Sequence, residues 1–151
     1  MKGKKYAGFS LIEILVVVAL MVILATITIV AINPAKNFRD TRDAQRSADV
    51  LQILNAVTQY TSEEGHTLAG LGTIPLCTAT PACIGTDTTI CVDLAGDGTN
   101  KLVEEYIVEI PMDPSVGTAA NTHYEICQTV SGRVQISATP ETQGKTIVVK
   151  R

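Results

Sequence analysis

The sequence predicts an α+β chain with a long N-terminal helix, transmembrane in its first half and packed by its second half on a small antiparallel β-sheet head. Three observations predict it. Ile14–Ile32 is an uncharged apolar run whose only polar residues are Thr26 and Thr28. From Ala44 to Tyr60 apolar residues recur at steps of three and four, the period of an amphipathic helix. Beyond Pro111 apolar and polar residues alternate in short stretches, the period of half-buried strands.

The N-terminal element is read from its length and its flanks. The nineteen residues of Ile14–Ile32, at about 1.5 Å each, rise roughly 28 Å, close to the ~30 Å hydrocarbon core of a bilayer. In lipid the backbone must satisfy its own hydrogen bonds, so a run rich in Val and Ile is still driven into a helix. Met1–Gly8 carries three lysines and no acid, which marks a cytoplasmic flank and places the chain beyond the span on the outside. The run is too long for a secretory signal, and Asn33-Pro34 stands after it in place of a small-x-small cleavage site. One residue conflicts with a plain anchor. Glu13 opens the run, and a carboxylate at mid-membrane costs about 2.5–3.5 kcal/mol on insertion scales, so it calls for a partner.

Lys4-Lys5-Tyr6-Ala7-Gly8 followed by Phe9-Ser10-Leu11-Ile12-Glu13 and the apolar helix resembles the prepilin leader of bacterial type IV pilins and type II secretion pseudopilins. The resemblance covers about the first 30 residues. It implies that a membrane-bound prepilin peptidase cuts between Gly8 and Phe9 and that Phe9 is then N-methylated. It also implies that Glu13 pairs with the new α-amine of a neighbouring subunit, making Phe9 and Glu13 the assembly residues. Such a pair removes two membrane-buried charges at once. The four-residue spacing would put Phe9 and Glu13 on one face of a helix. The segments then expected are a leader at 1–8, a transmembrane and assembly helix at 9–33, an amphipathic second half at 34–64 and a globular head at 65–151.

Pro34 interrupts the rod, removing one N–H bond and crowding the carbonyl four residues back. Many pilins of the resembled family carry a proline about one turn earlier, where this chain has Val30. Beyond Pro34 the expected buried stripe is Ala44, Ala48, Leu51, Leu54, Val57 and Tyr60. Arg39, Asp43, Arg46 and Asp49 form oppositely charged pairs at three- and four-residue spacing, expected on the polar side. Glu63-Glu64-Gly65 ends the helix, with Gly65 as a C-cap. One helix from Phe9 to Glu64 would reach about 84 Å.

In the head, Gly65–Asn100 reads as a long Gly- and Thr-rich connection holding a short strand at Thr88–Leu94. Leu102, Val103, Tyr106, Ile107 and Ile110 have helical spacing, stopped by Pro111. The turn Ile110-Pro111-Met112-Asp113-Pro114 is similar to one in the major pseudopilin of type II secretion, although Ser115-Val116-Gly117 comes next where that family has an aromatic residue and a glycine. His123–Val130 and Arg133–Ala138 around Ser131-Gly132 form a hairpin, and Lys145–Lys150 adds a last strand.

Four cysteines, Cys77, Cys83, Cys91 and Cys127, lie on the expected outer side, where an even count favours disulfides. Gaps of 5, 7 and 35 residues do not match a zinc site. Three pairings are open; the preferred one joins Cys77 to Cys83 and Cys91 to Cys127. Asp93–Glu104 is a twelve-residue window in which Asp93, Asp97 and Glu104 suit a calcium loop, but Ala95 lacks the third-position oxygen. Calcium is therefore a minor alternative, and no cofactor is expected. His66 and His123 read as isolated surface histidines. With no nucleophile–base pair, phosphate loop or metal-spaced cluster in the sequence, the chain is not expected to be an enzyme.

The chain of 151 residues carries a net charge of −3, and without Met1–Gly8 it holds 9 basic against 15 acidic residues. An acidic chain lacks the basic stripe that phosphate binding needs, so no nucleic-acid partner is expected. The leading reading is a structural subunit of a type IV pilus. Its expected partners are itself and other pilins in a helical filament, the prepilin peptidase, the inner-membrane pilus assembly platform, and membrane lipid before assembly. It would be a single-pass membrane protein with its N-terminus cytoplasmic, later part of a cell-surface or extracytoplasmic filament. The alternatives are a pseudopilin of a secretion or DNA-uptake system, and an uncleaved single-span anchor carrying an extracytoplasmic binding domain.

Overall fold

A computed structural model describes residues 8–96 and 102–151, and among these described residues there are two α-helices, five short strands and one 3₁₀ turn. The chain divides into two compact units, Met1–Phe38 and Arg39–Arg151.

Within the first unit, α1 spans Leu11–Ile32, and none of its residues is buried. The expected unbroken rod is not observed: α1 ends at Asn33, which adopts φ 47 and ψ 73, and α2 starts at once and spans Pro34–Ser62. The residue pair explains the break. Asparagine tolerates the left-handed region better than most side chains, and Pro34 at the first helical position carries no N–H to satisfy. Asn33 also caps the second helix, its Oδ1 accepting from Lys36 N at 3.3 Å. The Asn37 side-chain amide in turn donates to the Ile32 carbonyl at 3.2 Å.

In the second unit α2 buries Asp43, Arg46, Val50, Ile53, Leu54, Ala56, Val57 and Tyr60. This corrects the expected stripe: Ala44, Ala48 and Leu51 are exposed, and Asp43 and Arg46 are inside. A three-and-four spacing fits two adjacent stripes of one helix, and hydrophobicity alone chose the wrong one for the N-terminal turns. The helix ends before Gly65, whose φ of 89 suits a residue without a Cβ.

The five strands are β1 (Ala82–Ile84), β2 (Cys91–Val92), β3 (Tyr124–Gln128), β4 (Val134–Ala138) and β5 (Ile147–Lys150), ordered β2-β1-β3-β4-β5. The hairpin β3–β4 and the last strand stand where alternation placed them. The sheet is mixed, not purely antiparallel, because β1 and β2 pair in parallel. The strand expected at Thr88–Leu94 contracts to two residues, and β1 was not anticipated.

The sheet has two unlike faces. Ile84, Val92, Tyr124, Ile126, Val134, Ile136, Ala138 and Ile147 join Val50, Ile53, Leu54, Val57 and Tyr60 of α2 in one core cluster. Alternation sends Glu125 and Cys127 to the opposite face. Cys83 pairs in register with Glu125 and with Cys91, so it shares that face.

The disulfides are Cys77–Cys127 and Cys83–Cys91, which overturns the preferred Cys77–Cys83 and Cys91–Cys127 pairing. Strand register decides it. Cys77 N donates to Gln128 O at 2.8 Å, and Gln128 N donates to Pro75 O at 2.8 Å, which sets Cys77 beside Cys127. Cys83 lies opposite Glu125, further along β3, and directly beside Cys91.

The helix expected from the spacing of Leu102 to Ile110 is also absent. Glu104 takes φ 80, and Tyr106 N and Ile107 N both donate to Leu102 O at 3.0 Å, closing a single turn. So short a segment between a proline and a loop cannot repay helix nucleation; it buries Leu102 and Ile107 and leaves Val108 exposed.

Candidate assembly segment and the polar lock of the head

The assembly residues proposed from sequence all lie in the first unit. Phe9 is 78% exposed and precedes the helix, which begins at Leu11. The expected shared helical face with Glu13 is therefore not present in the single chain. Ser10 occupies the N-cap position without a side-chain cap bond, and Glu13 N donates to Ser10 O at 3.1 Å. Glu13 stands in the first turn and is exposed, where the partial positive charge of the helix start favours a carboxylate.

The rest of α1 suits a hydrocarbon environment. Its 22 residues are long and apolar enough to cross a membrane. The two hydroxyls are accounted for: Thr26 Oγ1 donates to Val22 O, and Thr28 Oγ1 to Leu24 O, each at 2.8 Å. Neither leaves a polar hydrogen unsatisfied in lipid.

The family model described as the prokaryotic N-terminal methylation motif matches residues 3–29. This chain carries the type IV pilin and pseudopilin signature. The match covers 27 of the 151 residues, and the motif supports a prepilin, pilin-like or pseudopilin. No curated protein and no solved structure matches the chain.

A second constellation, in the head, was missed by sequence reasoning. Arg46 is 2% exposed and Asp43 fully buried. Arg46 donates through Nε to Asp113 Oδ2 at 2.6 Å and through Nη2 to Asp113 Oδ1 at 3.0 Å. It also reaches Asp43 Oδ1 at 2.9 Å and Glu141 Oε1 at 2.8 Å. Asp43 accepts the backbone N–H of Glu141 at 2.9 Å and of Thr142 at 3.0 Å. Ser115 Oγ donates to Glu141 Oε1 at 2.6 Å, and Arg42 pairs with Glu141 from the solvent side. One helix face thus grips two loops that are distant in sequence.

The Ile110–Pro114 turn supplies one of those loops. Asp113 Oδ1 accepts Ser115 N at 2.8 Å and Val116 N at 3.2 Å, an Asx-type turn. Gly117 closes it, because a Cβ there would stand 2.4 Å from Asp113 N.

The charges are set by this wiring. Burial pushes the Asp43 carboxyl up, but hydrogen bonds from Glu141, Thr142 and Arg46 outweigh it and hold the group at about 2. Burial also works against Asp113, and Arg46 with the turn N–H groups brings it below the ordinary carboxylate range. Arg42, Ser115 and Arg46 lower Glu141. Asp113 above all raises Arg46. The predicted polar-side pair Arg46–Asp49 is not made; Asp49 Oδ2 instead accepts the Tyr124 hydroxyl at 2.6 Å. The available signal was the spacing of Asp43 and Arg46 itself, which reads equally well as a surface pair.

The calcium window and the two histidines complete the candidate residues. Asp93 Oδ1 accepts Ala95 N at 3.0 Å and Gly96 N at 3.2 Å, Glu104 is exposed, and Asp97 lies outside the described residues. Among the described residues no group of three or more His, Cys, Asp or Glu is placed to hold a metal ion. His123 is exposed. His66 is not a plain surface residue: its ring stacks on Tyr60 at 4.4 Å between centroids.

Proposed function

We propose that this chain is a structural subunit of a type IV pilus, made as a prepilin, cleaved after Gly8, methylated at Phe9 and polymerised through its N-terminal helix. The observation that carries this reading is α1: a 22-residue, mostly apolar helix with Glu13 as its one charge and none of its residues buried, which begins inside the methylation motif matched at residues 3–29. An apolar surface of that extent needs lipid or another protein to cover it. Lipid serves before assembly, with the head outside, and sister helices serve afterwards. Cleavage creates an α-amine at Phe9, and Glu13 of one subunit then neutralises the amine of the next. Prepilin peptidase and the inner-membrane assembly platform are the partners this route requires.

The test is the intact mass and N-terminal sequence of the chain recovered from its membrane. Loss of Met1–Gly8 and one added methyl group are expected; a chain that still begins at Met1 points to an uncleaved anchor. Electron microscopy for long surface fibres containing the chain then separates a pilin from its nearest alternative. That alternative, a pseudopilin of a secretion or DNA-uptake system, is favoured by the anchored Ile110-Pro111-Met112-Asp113-Pro114 turn.

A further inference from the structure

The two disulfides are nested: Cys77–Cys127 encloses Cys83–Cys91. A chain delivered N-terminus first presents Cys77, Cys83 and Cys91 together, 6, 8 and 14 residues apart in their three combinations. Cys127 comes 36 residues later, roughly 2–7 s behind at synthesis rates of about 5–20 residues per second. Cys77 has no native partner during that interval.

The local bonds that favour Cys83–Cys91 are few: Cys91 N donates to Asp87 O at 2.8 Å and Gly85 N to Val92 O at 3.1 Å. Loop closure favours the shorter loops only weakly, and by that weighting the two non-native bridges to Cys77 take roughly two-thirds of early oxidation. The β1–β2 pairing that would template Cys83–Cys91 spans two residues per strand, and so short a pair is not stable alone. It is completed by β3, which pairs with β1 through Ile126 and Glu125, and β3 itself carries Cys127. The most favoured early bridge, Cys77–Cys83, leaves Cys91 and Cys127 to pair with each other. The native segment around Cys77 likewise depends on β3, through the two backbone bonds between Pro75, Cys77 and Gln128.

We infer that the head is a substrate of an extracytoplasmic thiol–disulfide isomerase, which converts the early Cys77–Cys83 and Cys91–Cys127 bridges into Cys77–Cys127 and Cys83–Cys91. The inference rests on the head lying outside the cytoplasm, as proposed above. The isomerase thiolate attacks Cys77 Sγ, forming a mixed disulfide and releasing the Cys83 thiolate. Cys83 attacks Cys91 Sγ and expels the Cys127 thiolate. Cys127 then attacks Cys77 Sγ and returns the isomerase thiolate. Two protein disulfides exist before and after, so no external oxidant or reductant is consumed. The folded sheet supplies the direction, because its register puts Cys83 beside Cys91 and Cys77 beside Cys127.

The experiment expresses the full chain in a host with an oxidising periplasm, with and without that host's dithiol isomerase. Pulse-labelled chains are alkylated at once and their bridges mapped by non-reducing peptide mass spectrometry. With the isomerase the nested pairing is expected; without it the nested fraction falls to about one third, roughly threefold, and a Cys77–Cys83 peptide accumulates. The double variant Cys77→Ser/Cys127→Ser should form Cys83–Cys91 equally in both hosts. Nested bridges at equal yield in both hosts overturn the inference while leaving the extracytoplasmic head intact. Dependence of the double variant on the isomerase also overturns it. Four free thiols in both hosts overturn it together with the reading of the head as exported.

Discussion

Arg46 and Asp113, 67 positions apart, are joined by two side-chain hydrogen bonds of 2.6 and 3.0 Å in a fork-to-fork arrangement. Arg46 is 2% exposed and Asp113 7%, so the pair is shielded from water and the Asp113–Gly117 turn is held directly on α2. The same guanidinium reaches Glu141 in the connection between β4 and β5. A planar five-donor group can serve all these acceptors at once, which an ammonium cannot do.

Arg46→Ala therefore leaves buried carboxylates without a counter-charge. The expected loss is about 3–5 kcal/mol, read as a drop on the order of 10 °C or more in the unfolding temperature of the detergent-solubilised chain. Arg46→Lys should fall between wild type and Arg46→Ala, since the charge stays and the fork is lost. An Arg46→Ala chain as stable as wild type would show that the network adds nothing to the fold.

Acid should unlock the same region. Asp43, Asp113 and Glu141 all have folded-state pKa values below the ordinary ones, so the unfolded chain takes up protons first as pH falls. Their stabilisation is fully present above about pH 4–5 and is lost from there down toward Asp43's value of about 2. The unfolding temperature should be flat between pH 5 and 8 and should fall steeply below pH 4. Asp43→Asn should be less stable at neutral pH and should show a shallower acid slope; an unchanged slope would count against this assignment.

Tyr124 gives the opposite limb. Burial and the bond to Asp49 raise its phenol, so its contribution is present below about pH 10 and lost as pH rises beyond it. Tyr124→Phe removes a hydrogen bond to a charged group, costing about 1.5–3 kcal/mol, and should flatten the alkaline fall in unfolding temperature above pH 10. Retention of the wild-type alkaline slope in Tyr124→Phe would show that another group titrates there.

The disulfides should differ in weight. In the chain-entropy account the 50-residue separation of Cys77–Cys127 is worth about 4 kcal/mol and the 8-residue separation of Cys83–Cys91 about 2.5 kcal/mol. Cys77→Ser/Cys127→Ser should accordingly lower the denaturant midpoint more than Cys83→Ser/Cys91→Ser. The reverse order would make the short bridge the main staple of the sheet.

Glu13→Ala should separate insertion from assembly. The variant removes the one charge of α1, so processing after Gly8 and membrane insertion are expected to persist while filament yield, counted by electron microscopy of sheared material, collapses. Normal filaments from Glu13→Ala would falsify its role in selecting the next subunit.

Some of this molecule was readable along the chain because the cause is local. The span needs only an uncharged run of sufficient length, and the motif at its start is a contiguous string from Lys4 to Glu13. Hairpin β3–β4 comes from alternation around Ser131-Gly132, and the Asn33-Pro34 break sits at the proline that marks an interruption in the sequence. Their information is carried by neighbours.

The sequence by itself determined the apolar helix, its acid, the signature and the general α+β order, because period, charge and turn chemistry act over a few residues. Only the tertiary structure decided which stripe of α2 is buried, because Asp43 and Arg46 enter the core solely when Asp113, Glu141 and Thr142 arrive to satisfy them. It also decided the disulfides, because β-register sets which sulfurs meet, and that register exists only once β3 has paired with the segments around Cys77 and Cys83. Both outcomes depend on groups dozens of residues away, where no local period carries a signal.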